Sequence, residues 1–267
     1  MSITRTLLAS DLDGTLIPLE RNPQRLSEVE ELVAAIESCP RLALAYVTGR
    51  DLALAEEGIA EVGLPPPDWF VCDVGTSVYR KTDAGFQADQ AYRAAMRAAL
   101  GGVTGSEIRG ALRDVDGITL QEEEKQAEFK VSFYTEGRHE SYVDVVRDRL
   151  GAAGAEVNLI ASFDPVSGRG LLDVLPAGVA KDYAVRFLHD HAGIDEDQLI
   201  YAGDSGNDRE AMLSGYRVIV VSNADAALKE DLFAESAVRG LSGRLYFAEH
   251  PYARGVLEGL RHFGFVE

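Results

Sequence analysis

Near-continuous apolar runs in the first and last parts of the chain predict buried β-strands. Thr6–Ser10, Leu42–Val47 and residues 69–74 are such runs, and the segments between them carry apolar residues at helical spacing. The same alternation resumes near Val179 and includes the run at 199–202. Strands that are buried on both faces and separated by helices form parallel sheets with helices on both sides. The chain is therefore predicted to have an α/β fold with a Rossmann-like, doubly wound parallel sheet.

The pattern changes in the middle of the chain. Between about residues 81 and 173 the predicted strands become more polar, and residues 129–135 alternate apolar and polar side chains. Such alternation is typical of an antiparallel sheet that keeps one face away from the core. We therefore predict an inserted α+β domain at 81–173, flanked by the two parts of the core domain at 1–80 and 174–267.

The composition narrows the classes of ligand. The formal net charge is −18, so the chain would repel nucleic acid and anionic lipid, and neither is predicted as a partner. A phosphorylated small molecule would be repelled as well, unless its site is locally positive. No apolar run approaches the roughly 18 residues of a membrane span. Cys39 and Cys72 lack metal-ligand spacing, which fits a reducing cytoplasm, and the oligomeric state is not readable from the sequence.

Acidic residues cluster where two predicted strands end, which is where open parallel sheets bind ligands. Asp11 and Asp13 follow the first strand two residues apart, so strand alternation would aim both carboxylates at one ligand. Asp204 and Asp208 follow a later strand. Carboxylates this close repel each other, and Mg²⁺, which prefers oxygen ligands, relieves the repulsion. The pattern predicts a Mg²⁺ site, although an isolated Asp-x-Asp-Gly stretch is also typical of a plain turn.

Two further residues have functional groups suited to a phosphoryl group. Thr48 follows the second predicted strand, and its hydroxyl can donate to a phosphoryl oxygen. Lys181 opens a predicted helix after a Pro-Ala-Gly turn and would supply positive charge. Each signal is weak alone, because a threonine at a strand end is usually a cap and most lysines are solvated.

Taken together, these residues resemble the four motifs of the haloacid dehalogenase-like (HAD) hydrolase superfamily, in the same order. The motifs are Asp11-Leu12-Asp13-Gly14-Thr15, Thr48, Lys181, and Gly203-Asp204 with Asp208. The inserted domain resembles the class II (IIB) α/β cap of that superfamily. Over nearly the whole chain the sequence is similar to the sucrose-phosphate phosphatase branch. The stretches that carry this likeness are 42–50, 73–76, 129–134, 203–208, 221–224 and the tail near His262.

The resemblance implies a Mg²⁺-dependent phosphatase that acts on a phosphorylated sugar or glycoside through an aspartyl-phosphate. Asp11 would be the nucleophile and Asp13 the general acid and base. Mg²⁺ would be held by Asp11, the backbone carbonyl of Asp13 and Asp204, with Asp208 orienting the metal shell. The substrate-binding residues that we predict are Thr48, Gly49, Arg50, Lys130, Arg169, Lys181 and Asn207.

The predicted substrate stays broad because the cap departs from the family pattern. Asp173 stands alone where the family usually has an Asp-x-Asp pair, and the preceding loop at 163–170 also differs. Sucrose 6-phosphate and a related glycosyl phosphate ester therefore both stay open. The alternatives are a sugar phosphomutase on the same scaffold, a phosphatase for simple hexose phosphates, and a non-catalytic binding protein. The intact acid and lysine set argues against the last of these.

Overall fold

The computed structural model describes residues 5–136, 140–164 and 168–267. In chain order, the strands in these ranges are β1 (Thr6–Ser10), β2 (Leu42–Val47), β3 (Trp69–Cys72), β4 (Ser77–Thr82), β5 (Gly85–Ala88), β6 (Ile118–Leu120), β7 (Val131–Thr135), β8 (Val157–Asp164), β9 (Arg169–Pro176), β10 (Leu199–Gly203), β11 (Arg217–Val220) and β12 (Leu245–Phe247). The α-helices are α1 (Pro23–Glu37), α2 (Leu52–Val62), α3 (Gln90–Ala99), α4 (Gly105–Leu112), α5 (Glu140–Ala152), α6 (Lys181–Ala192), α7 (Arg209–Met212), α8 (Ala226–Val238) and α9 (Tyr252–His262). None of these helices is long and apolar enough to span a membrane.

The larger sheet within the described ranges has eight strands in the order β12-β11-β10-β1-β2-β3-β4-β5. The strands from β12 to β3 run parallel, and β4 and β5 form an antiparallel hairpin at one edge. Strand β1 lies at the centre, paired with β2 on one side and with β10 on the other. The predicted α/β fold with a doubly wound parallel sheet is confirmed.

Helices cover both faces of this sheet. Along β1, Leu8 packs into the core cluster that contains α1 and α9, whereas Leu7 and Ala9 pack into the opposite cluster, which contains α6. Because both faces are buried, β1 reads as an uninterrupted apolar run. The charged and polar residues that follow the parallel strands consequently lie together at the carboxyl ends of these strands.

The smaller sheet has the order β6-β7-β9-β8 and is antiparallel. Phe133 and Leu172 lie on the face that packs against α4 and α5. The opposite face therefore carries Ser132, Tyr134 and Asp173, by alternation along the strands. Strand β8 lies beside the 3-10 turn Gly206–Asp208 of the core, so this second face is turned toward the core.

The predicted boundaries at 80/81 and 173/174 fall inside strands β4 and β9. The hairpin of β4 and β5 continues the core sheet to residue 88, and α3 buries Tyr92 and Met96 in the core. We propose that the cap runs from about residue 100 to Pro176. Strands β4 and β5 are polar like the cap strands because they form an exposed edge of the core sheet.

Candidate active site

Asp11 lies directly beyond the central strand of the core sheet. Its backbone N–H donates to the Ala202 carbonyl at 2.9 Å, which extends the pairing of β1 with β10 by one residue. The residue is only 5% exposed. After Leu12 the chain leaves the strand direction, because the Leu12 carbonyl accepts the N–H groups of three following residues in a tight turn. The Asp-x-Asp-Gly stretch is therefore both a turn and the start of a site.

Lys181 is a fully buried lysine, not a surface one. Its ammonium donates to Oδ1 of Asp11 and to Oδ1 of Asp208, at 2.7 Å in both cases. Burial alone would lower the pKa of Lys181, but the two carboxylates outweigh it and hold the pKa above its ordinary value. Lys181 is therefore an ammonium, and it places one positive charge among the acids of this site.

The carboxylate oxygens of Asp11, Asp204 and Asp208 lie within 4.8 Å of one another. Burial raises the pKa of Asp11 well above its ordinary value, and it raises the pKa of Asp204 to about 6, with Asp208 adding to both shifts. Gly14 makes room for this cluster, since a Cβ atom at that position would overlap the Asp204 carboxylate. Crowded, buried carboxylates are a donor set that a hard divalent cation such as Mg²⁺ fits.

Asp208 holds the other members of the cluster in place. Its Oδ1 accepts from Lys181 and, at 2.6 Å, from the Tyr201 hydroxyl. Its Oδ2 accepts the backbone N–H groups of Asp204 at 3.2 Å and Ser205 at 3.1 Å. Both oxygens are thus engaged within the protein, which suits a residue that orients the other ligands.

Asp13 does not join this cluster with its side chain. Arg50 donates from Nε to Oδ2 of Asp13 at 2.8 Å and from Nη2 to Oδ1 at 2.6 Å. The prediction from strand alternation fails at Asp13, because β1 ends at Ser10 and Asp13 already belongs to the turn. Only the backbone carbonyl of Asp13 is left as a possible ligand for a metal bound by the other acids.

Thr48 directly follows β2, the neighbour of β1, and is 1% exposed. Its N–H donates to the Val71 carbonyl at 2.8 Å, and its Oγ1 accepts the N–H of Arg50 at 3.1 Å. The Thr48 hydroxyl acts as an acceptor in this bond, so its hydrogen can still be donated to a ligand. Residues 48–50, the phosphate segment, therefore lie at the same sheet edge as Asp11.

A strained turn supports the phosphate segment. Asp73 and Val74 have φ values of 55° and 59°, and Gly75 follows with a φ of 95°. Residues other than glycine seldom adopt this conformation, which costs about 1–3 kcal/mol each and concentrates at functional sites. At Gly75 a Cβ atom would lie 2.5 Å from the Ala180 carbonyl oxygen, so the turn packs tightly on the start of α6.

The two cap residues predicted to bind substrate lie in different environments. The side chain of Lys130 is buried, with its Nζ 3.5 Å from the Gly49 carbonyl. Arg169 is exposed on the core-facing side of the cap sheet, and its guanidinium lies 3.4 Å from the centroid of the Tyr134 ring. The predicted sugar-facing loop at 163–170 is described in part, since residues 165–167 lie outside the described residues.

Several contributors to the site were not singled out from the sequence. Tyr201 looked like an ordinary strand residue, and Asp73 carried no sign of a left-handed backbone. Thr15 Oγ1 donates to Asp204 at 2.9 Å, and Asn223 Nδ2 donates to the Gly14 carbonyl at 2.8 Å. Asn207, which was predicted to bind substrate, accepts from Ser205 Oγ at 2.9 Å. Position within a recurrent motif was the available signal for Thr15 and Asn223.

Comparison with known proteins places this chain in a family. Residues 4–264 match the family model described as sucrose-6F-phosphate phosphohydrolase. A HAD-like hydrolase of Nitrosococcus oceani is 35% identical over 97% of this chain and 72% of that protein. A mannosylfructose-phosphate phosphatase of Agrobacterium fabrum is 28% identical over 97% of this chain and 96% of that protein.

The fold has a close counterpart among solved structures. The sucrose-phosphatase of Synechocystis sp. PCC6803, in complex with sucrose and phosphate, superposes with a TM-score of 0.81 at 24% identity. The match covers 98% of this chain and 99% of that one, so the core and the inserted cap are both shared. With the family model spanning nearly its whole length, the chain belongs to the sucrose-6F-phosphate phosphohydrolase family and is a phosphatase of the HAD superfamily.

Proposed function

We propose that this phosphatase hydrolyses the phosphate monoester of a phosphorylated sugar or glycoside, either sucrose 6-phosphate or a related glycosyl phosphate ester. The proposal includes dependence on Mg²⁺ and an aspartyl-phosphate intermediate. The observation that carries it is the buried Lys181 ammonium, which joins Asp11 to Asp208 beside Asp204. In this arrangement the carboxylate of the proposed nucleophile, the Lys181 ammonium and the carboxylates that would bind a divalent metal lie close together.

In the proposed reaction Asp11 attacks phosphorus with the oxygen that Lys181 does not hold. The Asp11 oxygen–phosphorus bond forms as the bond from phosphorus to the sugar oxygen breaks, and Asp13 delivers a proton to that oxygen. Water then attacks phosphorus, Asp13 takes the proton of the water, and the bond to Asp11 breaks. Arg50 holds Asp13 in place by donating to both of its carboxylate oxygens, and each oxygen keeps a second lone pair for proton exchange.

The phosphoryl group needs positive charge in a chain with a net charge of −18. Lys181 supplies one charge at the nucleophile, and Thr48 supplies a hydroxyl at the edge of the sheet. The donor set formed by Asp11, Asp204 and the Asp13 carbonyl suits Mg²⁺, which would screen the carboxylates from the incoming phosphate. Gly49, Arg50 and Asn207 complete the proposed phosphate-binding set.

The sugar is proposed to lie under the core-facing side of the cap sheet, where Arg169 is the candidate contact. This face carries polar groups as well as apolar ones, which suits a ligand rich in hydroxyls. Relatives named for mannosylfructose-phosphate and for sucrose favour a phosphorylated disaccharide over a single hexose. The two free cysteines, Cys39 and Cys72, support the proposal of a reducing, cytoplasmic location.

The test is release of inorganic phosphate from a panel of esters, with Mg²⁺ and after chelation. The panel contains sucrose 6-phosphate, other phosphorylated disaccharides, glycosylglycerol phosphates and simple hexose phosphates. We expect Mg²⁺-dependent release with a preference for a disaccharide or glycosylglycerol phosphate. A strong preference for hexose phosphates would remove the glycoside assignment, and isomerisation of a substrate without release of phosphate would identify a mutase.

A further inference from the structure

Lys130 belongs to the cap, yet its ammonium lies against the core. The residue immediately precedes β7, and its Nζ is 3.5 Å from Oδ1 of Asp73 and 3.5 Å from the Gly49 carbonyl oxygen. The side chains of Lys130 and Asp73 are only 7% and 8% exposed. A lysine is rarely buried to this extent without a partner, so the position of this ammonium calls for an explanation beyond packing.

A second carboxylate faces Lys130 from the cap itself. Asp173 on β9 is buried and accepts from Ser132 Oγ at 2.5 Å. Burial raises the pKa of Asp73 and that of Asp173, and the positive charge of Lys130 lowers both. The charge of Lys130 thus acts on one acid of the core and on one acid of the cap. The Lys130 ammonium can keep this position only while the cap lies against the core.

The Gly49 carbonyl is part of a fully fixed stretch of backbone. In the phosphate segment, the Thr48 carbonyl accepts the N–H of Val74 at 3.1 Å, and the Arg50 carbonyl accepts the N–H of Asp73 at 2.9 Å. Lys130 holds the carbonyl between them. All three carbonyls of residues 48–50 are therefore engaged, two by the strained turn Asp73–Gly75 and one by the cap.

Fixing a carbonyl also fixes the N–H group across the same peptide bond. A trans peptide is planar, so the carbonyl of Gly49 and the N–H of Arg50 point in opposite directions. That N–H donates to Thr48 Oγ1 at 3.1 Å. A chain of contacts consequently runs from Lys130 through the Gly49–Arg50 peptide to the hydroxyl that is proposed to bind the phosphoryl group.

We propose that Lys130 is a positioning residue that couples closure of the cap to the phosphate segment. With the cap against the core, its ammonium fixes the Gly49 carbonyl and thereby aims the Thr48 hydroxyl. This inference rests on the proposed function, in which Thr48 binds the phosphoryl group of the substrate. It replaces the expectation that Lys130 contacts the sugar directly.

A positioning role and a sugar-binding role of Lys130 predict different results for a substrate that has no sugar. We expect Lys130→Met to lower kcat/KM by roughly 10- to 100-fold, the loss of one charge-assisted hydrogen bond. The factor should be similar for p-nitrophenyl phosphate and for the best sugar phosphate of the panel, and inorganic phosphate should inhibit more weakly. A loss confined to the sugar phosphate would overturn the proposal and leave Lys130 as a sugar contact.

Matched variants separate positioning from stability. Lys125→Met removes an exposed lysine of the same cap and should leave both rates unchanged. Asp73→Asn removes the charge of the core partner while keeping a residue that tolerates the left-handed backbone. We expect it to lower both rates as Lys130→Met does, and the double variant should lose less than the product of the two single losses. Assays run well below the lowest measured Tm.

One result would contradict the positioning role of Lys130, and a different result would contradict the proposed function. If Lys130→Met lowered Tm but kept both rates, the residue would be structural and the coupling would be wrong. If the wild-type enzyme hydrolysed p-nitrophenyl phosphate but no sugar phosphate, the proposed function would fail. The role of Lys130 would still be decided by its effect on p-nitrophenyl phosphate.

Discussion

Two aspartates that are two positions apart have opposite surroundings in this enzyme. Asp11 is buried beneath Lys181, whereas the Asp13 side chain is 41% exposed and held by Arg50. A buried carboxylate held by an ammonium suits the proposed attack on phosphorus. A more exposed carboxylate suits the proposed proton transfer to the leaving oxygen. The difference between the two proposed roles thus follows from where β1 ends, since only Asp11 keeps the direction of the strand.

The first prediction compares conservative variants of these aspartates. Asp11→Asn should abolish turnover, because it removes the proposed nucleophile. Asp13→Asn should lower kcat by about 10²–10⁴-fold, the usual contribution of general acid and base catalysis. The measurement is steady-state phosphate release, with Mg²⁺-induced stabilisation as a check that Asp13→Asn still binds metal. Wild-type turnover by Asp11→Asn would make the mechanism wrong.

The second prediction concerns pH and Mg²⁺. Burial and Asp208 raise the pKa of Asp204 to about 6, so a proton competes with the metal below that pH. Mg²⁺ affinity should therefore be full well above pH 6 and fall as the pH drops through about 6. In the metal-free protein the same raised pKa acts against stability. Ionisation is harder in the folded state, so this group costs stability as the pH rises from about 4 to about 6.

This second prediction is checked by the rise in Tm that Mg²⁺ produces between pH 5 and 8. We expect a large rise at pH 8 and a small one at pH 5. Asp204→Asn is the matched control and should show little rise at either pH. An equal rise at both pH values in the wild-type protein would contradict a proton-linked site at Asp204.

At the scale of elements, the strained turn Asp73–Gly75 meets the start of α6. The N-terminus of α6 carries Lys181, and the Tyr92 hydroxyl of α3 donates to the Gly75 carbonyl. One turn of three residues thus contacts the phosphate segment on one side and Lys181 on the other. The position of Lys181 is therefore set by backbone packing as well as by its ion pairs.

The third prediction tests this packing with Gly75→Ala. A Cβ atom there would lie 2.5 Å from the Ala180 carbonyl oxygen, so the start of α6 must move. We expect a loss of stability of about 1–3 kcal/mol, together with a lower kcat because Lys181 moves with the helix. Urea unfolding and phosphate release measure the two effects.

Gly63→Ala is the control for the backbone cost alone. Gly63 also has a positive φ, 78°, but no atom lies within 4 Å of an added Cβ. This variant should lose about 1 kcal/mol of stability and keep wild-type kcat. Equal kcat for both glycine variants would show that the contact with α6 does not position Lys181.

Sequence reasoning could place candidate residues where general rules of topology apply. Thr48, Lys181 and Asp204 each lie at the end of a parallel strand or the start of the next helix, where such sheets bind ligands. The direction of the Asp13 side chain and the left-handed turn at Asp73 could not be predicted. Both depend on tertiary hydrogen bonds to distant segments, and neither residue type signals its own conformation.

For the molecule as a whole, the site gathers cations although the chain is strongly acidic. The chain has a net charge of −18, yet Arg50, Lys130 and Lys181 converge on the sheet edge that carries the acids. These cations come from the core and from the cap. If Lys130 positions the phosphate segment as proposed, affinity for the ester depends on the position of the cap.

The central position of β1 has a consequence for folding during synthesis on the ribosome. Half of the ladder of β1 is supplied by β10, in which Leu199 pairs with Leu7, about 190 residues later. At roughly 5–20 residues per second, β1 waits on the order of 10–40 seconds for that neighbour. Throughout this interval an apolar strand keeps one edge unpaired and open to other chains.

A fourth prediction follows for arrested nascent chains of increasing length. The first 47 residues, through β2, should stay sensitive to protease until β10 has left the exit tunnel, and become protected abruptly at that length. Protection in shorter chains would mean that the first half folds alone. If the prediction holds, the proposed nucleophile Asp11 is among the first residues to be made, and its surroundings are among the last to be completed.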